Sequence, residues 1–196
     1  MIRFVITGHR ATASGDFKLD DISGGAGRLD ILVRCVNSAF FLSHSIRTDV
    51  ELFLIMEGGP EAPKTVRFMG KELKYLNPDE RSTSSLIRNA LLKRIGNEEV
   101  RSSPGVYVSK RSFSDVIDHL KQMSTIVYLK EDGTDIREFS FPDDPTFVLG
   151  DDRDLTQEEE AHVLACNPSK ISIGPQSLHA DHCMIVVLNE TDRRSA

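Results

Sequence analysis

The chain is poor in cysteine: Cys35, Cys166 and Cys183 are its whole complement. An odd number with no CxxC pair argues against both a disulfide framework and a zinc knuckle. No apolar run approaches the roughly 20 residues that a membrane-spanning helix needs. The opening Met1-Ile2-Arg3-Phe4-Val5-Ile6-Thr7-Gly8 lacks a basic region, a long apolar region and a cleavage site, so no signal peptide is read there. No GxGxxG follows that first β-rich stretch, which disfavours a conventional dinucleotide-binding fold. These absences together predict a cytoplasmic protein with no membrane partner and no bound metal.

What is present is globular. A length of 196 residues with 39% hydrophobic side chains suffices for one domain with a buried core. The net charge of −6 disfavours general nucleic-acid binding, but it is unevenly spread. Residues 1–100 carry 14 Lys and Arg against 13 Asp and Glu, whereas residues 101–196 carry 10 against 17. Between 64 and 94 there are eight basic residues and three acidic ones. Screening confines each charge to its neighbourhood, so a local basic face can attract phosphate inside an acidic chain.

The pattern of apolar residues predicts strands alternating with helices. Met1–Thr7 reads as a buried strand, and Gly8 to Gly27 as loop. Leu29, Leu32, Val33, Val36 and Phe40 recur at spacings of three and four, which predicts a helix over Arg28–Ser43. Strands follow at Val50–Met56, Thr65–Met69, Val106–Val108, Thr125–Leu129, Thr146–Leu149 and Lys170–Ile173, with a further short one at Ile136–Phe141. Helices are expected over Ser82–Ile95, Ser112–Met123 and from Thr156 to about Cys166, where Glu158 and Glu159 suit the positive helix end. Cys183–Leu188 is apolar and β-branched enough for a buried strand; Ser177 as a cap and the length to Asp192 favour helix. The alternation indicates an α/β fold with a largely parallel sheet.

Two strands end in similar glycine loops, Val148-Leu149-Gly150 and Ser172-Ile173-Gly174. Ligands of open α/β sheets sit beyond the carboxyl ends of the strands, so these loops are the default site. His179, His182 and Cys183 include an i, i+4 pair but no fourth metal ligand, so zinc is not expected.

Phe147-Val148-Leu149-Gly150-Asp151, Ile173-Gly174-Pro175-Gln176-Ser177-Leu178 and Cys183 in an apolar terminal element resemble the SPOUT methyltransferases. Over essentially the full length, including Met1–Thr7, Gly24–Asp30 and Arg81–Leu92, the chain is similar to the archaeal tRNA pseudouridine N1-methyltransferases. The resemblance implies a single SPOUT domain, a mostly parallel sheet flanked by helices, a C-terminal deep trefoil knot and a homodimer. It implies S-adenosylmethionine as cofactor, held by Leu129, Gly150, Ile173, Gly174, Pro175, Gln176, Ser177, Leu178 and Cys183. Gly27-Arg28-Leu29-Asp30-Ile31 resembles the Arg-x-Asp segment of the sister ribosomal RNA family, which makes Asp30 the proton acceptor or its orienter and Arg28 a partner for phosphate or a uracil carbonyl. Arg81 and Arg88 are the candidates for the tRNA backbone. The implied activity is methylation of N1 of pseudouridine 54 in the T-loop of tRNA. The alternatives are another RNA target, such as a ribosomal pseudouridine, or a relative without catalytic activity.

Overall fold

The structure, a computed structural model, describes residues 1–195. Eight strands form one sheet in the order β4-β5-β3-β2-β1-β7-β6-β8. β1 (Ile2–Thr12), β2 (Val50–Gly58), β6 (Thr125–Asp135), β7 (Pro145–Gly150) and β8 (Ser169–Ser172) are parallel to one another. β3 (Lys64–Met69), β5 (Val106–Ser109) and β4 (Val100–Ser103) extend the β2 edge in antiparallel fashion. The largely parallel sheet read from the alternation is therefore present, with an antiparallel flank.

Side chains on a strand point alternately to the two faces, and here both faces are apolar. Phe4 and Ile6 of β1, Leu52 and Leu54 of β2, and Phe147 and Leu149 of β7 join one core. Their neighbours Val5, Phe53, Ile55 and Val148 join a second core on the other face. Continuous apolar runs of this kind need helices on both sides. The first face is covered by α1 (Leu29–Phe40), α2 (Glu80–Leu91) and α5 (Ala180–Ser195), the second by α3 (Phe113–Leu120) and α4 (Gln157–Ala165).

The helix starts follow from local chemistry. Asp79 caps α2 by accepting from the Ser82 amide. Ser112 with Asp115, and Thr156 with Glu159, form capping boxes that satisfy amide groups at the starts of α3 and α4.

Several details differ from the sequence reading. β1 runs on to Thr12, through residues read as loop, because Gly8 and Thr12 still pair with β2. The C-terminal apolar run is a helix, opening at Ala180 rather than Leu178. Ile136–Phe141 is not a strand; β6 instead continues to Asp135 past a register shift, and the segment after it packs Phe139 and Phe141 against the core. Val100–Ser103, a strand the pattern did not predict, pairs with β5 across a tight turn at Pro104-Gly105.

Phe147 is fully buried on β7 and stacks on Phe4 at 5.4 Å between ring centroids. Phe147→Ala is expected to lower unfolding stability by about 3–5 kcal/mol, read from the urea midpoint.

Candidate active site

β1 lies where the parallel sheet winds away in two directions, with β2 on one side and β7 on the other. The crevice beyond the carboxyl ends of strands near such a point is where α/β folds bind ligands. Beyond β6, β7 and β8 lies a cavity of about 520 Å³, ample for a nucleoside-sized ligand. Leu129, Leu149, Ile171 and Ile173 from the strand ends give it apolar walls. Gln176 to Ala180 and Cys183 close one side, and Arg28, Ile31 and Arg34 of the α1 region form another.

The remaining wall is the loop Asp151 to Leu155. The chain doubles back so tightly at Gly150 that a Cβ there would lie 1.9 Å from the Arg153 carbonyl oxygen. Only glycine permits that approach.

Opposite charges alternate along the rim. Gly27 and Arg28 both take left-handed backbone conformations with φ near 66°. That conformation is uncommon for a residue with a side chain, and here it sits immediately before the first residue of α1. Arg28 donates to Asp30 through Nε at 3.0 Å, and Arg34 donates to the same carboxylate at 2.9 Å. Arg28 also faces Asp152 at 3.7 Å, and Asp152 is paired with Arg10. Burial pushes the Asp30 pKa up, but hydrogen bonds from Arg28 and Arg34 prevail and hold it below the ordinary carboxylate value.

At the exposed edge of the cavity, Ser177 Oγ donates to Glu131 at 2.9 Å. Lys130 and Tyr128 both reach Glu160, each at 3.1 Å. Burial raises the Cys183 thiol to about 11, so it is a neutral thiol near pH 7. Among the described residues, no group of three or more His, Cys, Asp or Glu side chains is disposed to hold a metal ion, and no helix is long and apolar enough to cross a membrane.

The whole chain, residues 1–196, matches a family model described as "Putative SAM-dependent RNA methyltransferase". The chain belongs to this family. The tRNA (pseudouridine(54)-N(1))-methyltransferase of Methanocella arvoryzae is 51% identical over 195 residues, covering 99% of this chain and 100% of that protein. The protein of the same name from Haloferax volcanii is 49% identical, covering 98% and 96%. Archaeoglobus fulgidus Nep1 bound to S-adenosylhomocysteine has the same fold, with a TM-score of 0.66 at 14% identity and coverage of 100% and 98%.

In this SAM-dependent RNA methyltransferase, eight of the cofactor candidates line one cavity: Leu129, Gly150, Ile173, Gly174, Gln176, Ser177, Leu178 and Cys183. Pro175 is exposed in the same loop and outside the lining. Arg28 lines the cavity; Asp30 stands behind Arg28 and Arg34. Arg81 and Arg88 lie away from it on α2. Arg81 is exposed and pairs with Asp20 at 2.6 Å, next to a shallow groove that Tyr75 also lines. Arg88 is half-buried and donates to the Gly15 carbonyl at 3.2 Å.

Sequence reasoning missed Arg34, Asp151 and Leu155 in the lining, and His9 behind it. Arg34 was within reach, because it stands four residues after Asp30 on one helix face. Asp151 and His9 are 142 residues apart and meet only through strand pairing.

In a Cys166→Ser background, iodoacetamide should label Cys183 slowly at neutral pH and faster as pH rises toward about 11. Labelling should slow when S-adenosylhomocysteine is added. Fast labelling at neutral pH would contradict the burial assigned to this thiol.

Proposed function

We propose that the protein transfers a methyl group from S-adenosylmethionine to N1 of pseudouridine 54 in tRNA. The observation that carries this reading is the single cavity formed by the two glycine loops, in a chain that matches pseudouridine methyltransferases end to end. The lining suits the cofactor. Adenosine requires apolar walls, supplied by Leu129, Leu149, Ile171 and Ile173, and polar groups at its edges, which Glu131, Ser177 and Gln176 offer. Its amino-acid end carries both charges, and the loop presents Arg153 beside Asp151, Asp152 and Asp154.

The sulfonium of S-adenosylmethionine supplies an electrophilic methyl group. N1 of pseudouridine is an N–H that must lose its proton as it attacks, so negative charge develops on the ring. Arg28 and Arg34, held on the rim by a shared carboxylate, are cations placed to stabilise that charge. Asp30, kept ionised by two guanidiniums, is a weak proton acceptor and a good orienter. We assign it the second role. Arg81, exposed on α2, would position the tRNA backbone without specifying its sequence.

The same reading takes the chain as one SPOUT domain acting as a homodimer in the cytoplasm, with its C-terminal segment threaded in a trefoil knot. Two features support the threading and the dimer. Arg194 near the end of α5 donates to the carbonyls of Ile136 and Arg137 at 3.0 and 2.7 Å, tying that helix to the segment after β6. Ile185 on α5 leaves an apolar side chain exposed for a partner.

Labelled S-adenosylmethionine with T-loop RNA should modify RNA carrying pseudouridine 54 and leave RNA carrying uridine 54 unmodified. Equal transfer to both, or to neither, would sink the reading. Arg34→Ala should lower kcat/KM for the RNA by roughly 10–100-fold, the usual effect of losing a hydrogen bond from a charged group. Arg81→Ala should weaken tRNA binding and reduce the slope of log affinity against log salt by about one.

A further inference from the structure

The loop that walls the cavity is held from behind by a side chain that takes no part in the lining. His9, near the end of β1, is 12% exposed and has a carboxylate at each ring nitrogen. Glu159 Oε2 lies 2.9 Å from Nε2, and Asp151 Oδ1 lies 3.4 Å from Nδ1. Carboxylates only accept, so both contacts are hydrogen bonds only when both nitrogens carry a proton. The ring that fits this geometry is an imidazolium.

The two anions also shape the loop. The same Asp151 Oδ1 accepts from the Arg153 amide at 3.1 Å. The same Glu159 Oε2 accepts from the Thr156 amide and hydroxyl, both at 2.8 Å, closing the box that starts α4. One cation therefore joins the group that turns the loop at its beginning to the group that anchors its end. The other charges nearby do not substitute for it. Glu57, at the end of β2, is a further anion facing this cluster. Arg10, the next residue on β1, is engaged by Asp152.

We propose that His9 is a positioning residue whose imidazolium, bridging Asp151 and Glu159, holds the Gly150–Leu155 loop in the form that binds the cofactor. The inference rests on the reading of the cavity as the S-adenosylmethionine site. Loss of the proton leaves one donor between two partly buried carboxylates, and their repulsion favours opening the loop. The hydrogen bonds with Asp151, then Glu159, raise the His9 pKa from 6.5 to about 9. The clamp's contribution to stability is thus complete below about pH 6.5 and lost as pH rises through about 9. In the folded protein the bridge opens only across the upper part of that window.

The test is calorimetric titration with S-adenosylhomocysteine from near neutrality to about pH 10, with steady-state kinetics alongside. Wild type should bind with constant affinity to about pH 8 and weaken above it. His9→Gln should bind roughly tenfold more weakly near neutrality and decline less steeply than wild type above about pH 8, the remaining decline coming from the ligand's own amino group. His9→Arg keeps a fixed cation with several donors, so it should recover affinity near neutrality and decline no more steeply than His9→Gln. The loss in His9→Gln should appear in KM for S-adenosylmethionine rather than in kcat, a split that general destabilisation would not produce. Leu178→Glu, at an exposed position of the lining, is the control and should abolish binding. If Leu178→Glu abolishes binding while His9→Gln matches wild type near neutrality or declines with pH as steeply as wild type, the role of His9 is overturned alone. Unchanged binding in Leu178→Glu would overturn the cavity reading, and the inference with it.

Discussion

The parallel pairing of β1 with β7 is the constraint on which the rest of the structure depends. Its register sets Phe4 against Phe147 and Thr7 against Gly150. A slip of one residue would send Phe147 to the opposite face and carry the Gly150 turn away from the end of β1. Because both strands are apolar on both faces, they must lie in the middle of the sheet with helices above and below. Those helices then bring the start of α1 and the start of α5 to the same edge, where the carboxyl ends of β6, β7 and β8 open. The cavity is thus a consequence of where the most apolar strands have to sit.

Charge along that edge is managed by alternation. Arg10, Asp152, Arg28, Asp30 and Arg34 run as a ladder, each guanidinium next to a carboxylate. The uneven split of charge between the two halves of the chain finds its physical meaning here. Cations from the first forty residues, Arg10 and Arg28, together with His9, meet anions from 151 to 159. A partly buried group left without its counterion would be costly. The arrangement keeps the guanidiniums of Arg28 and Arg34 at the cavity with their directions set and their charge intact.

Much of the fold was legible because the signals are local. The spacing of three and four in α1, the Thr156 box of α4 and the short strand β8 ahead of Gly174 are each decided within a dozen residues. Cys183–Leu188 was ambiguous because a short apolar run suits a buried strand or a buried helix equally, and only packing against α1 and the sheet resolves it. Ile136–Phe141 has strand-forming residues that the structure uses otherwise. Phe139 and Phe141 pack edge to face at 5.4 Å, and the carbonyls of Ile136 and Arg137 receive Arg194 instead of a neighbouring strand. Tertiary partners outweighed propensity there.

The amino-acid sequence by itself determined the succession of strands and helices, the two glycine loops and the family, since each depends on residues close together or on an ordered set of motifs. It also marked much of the cavity wall, because Gly150 and Ile173 to Leu178 are contiguous with their strands. Only the tertiary structure decided that Asp30 accepts from Arg28 and Arg34 together, and that His9 lies between Asp151 and Glu159. Those relations join residues of the first helix and first strand to the last third of the chain or set the protonation of one group by two others. They exist only once the register of β1 on β7 has fixed which side chains share a few ångströms of partly buried space.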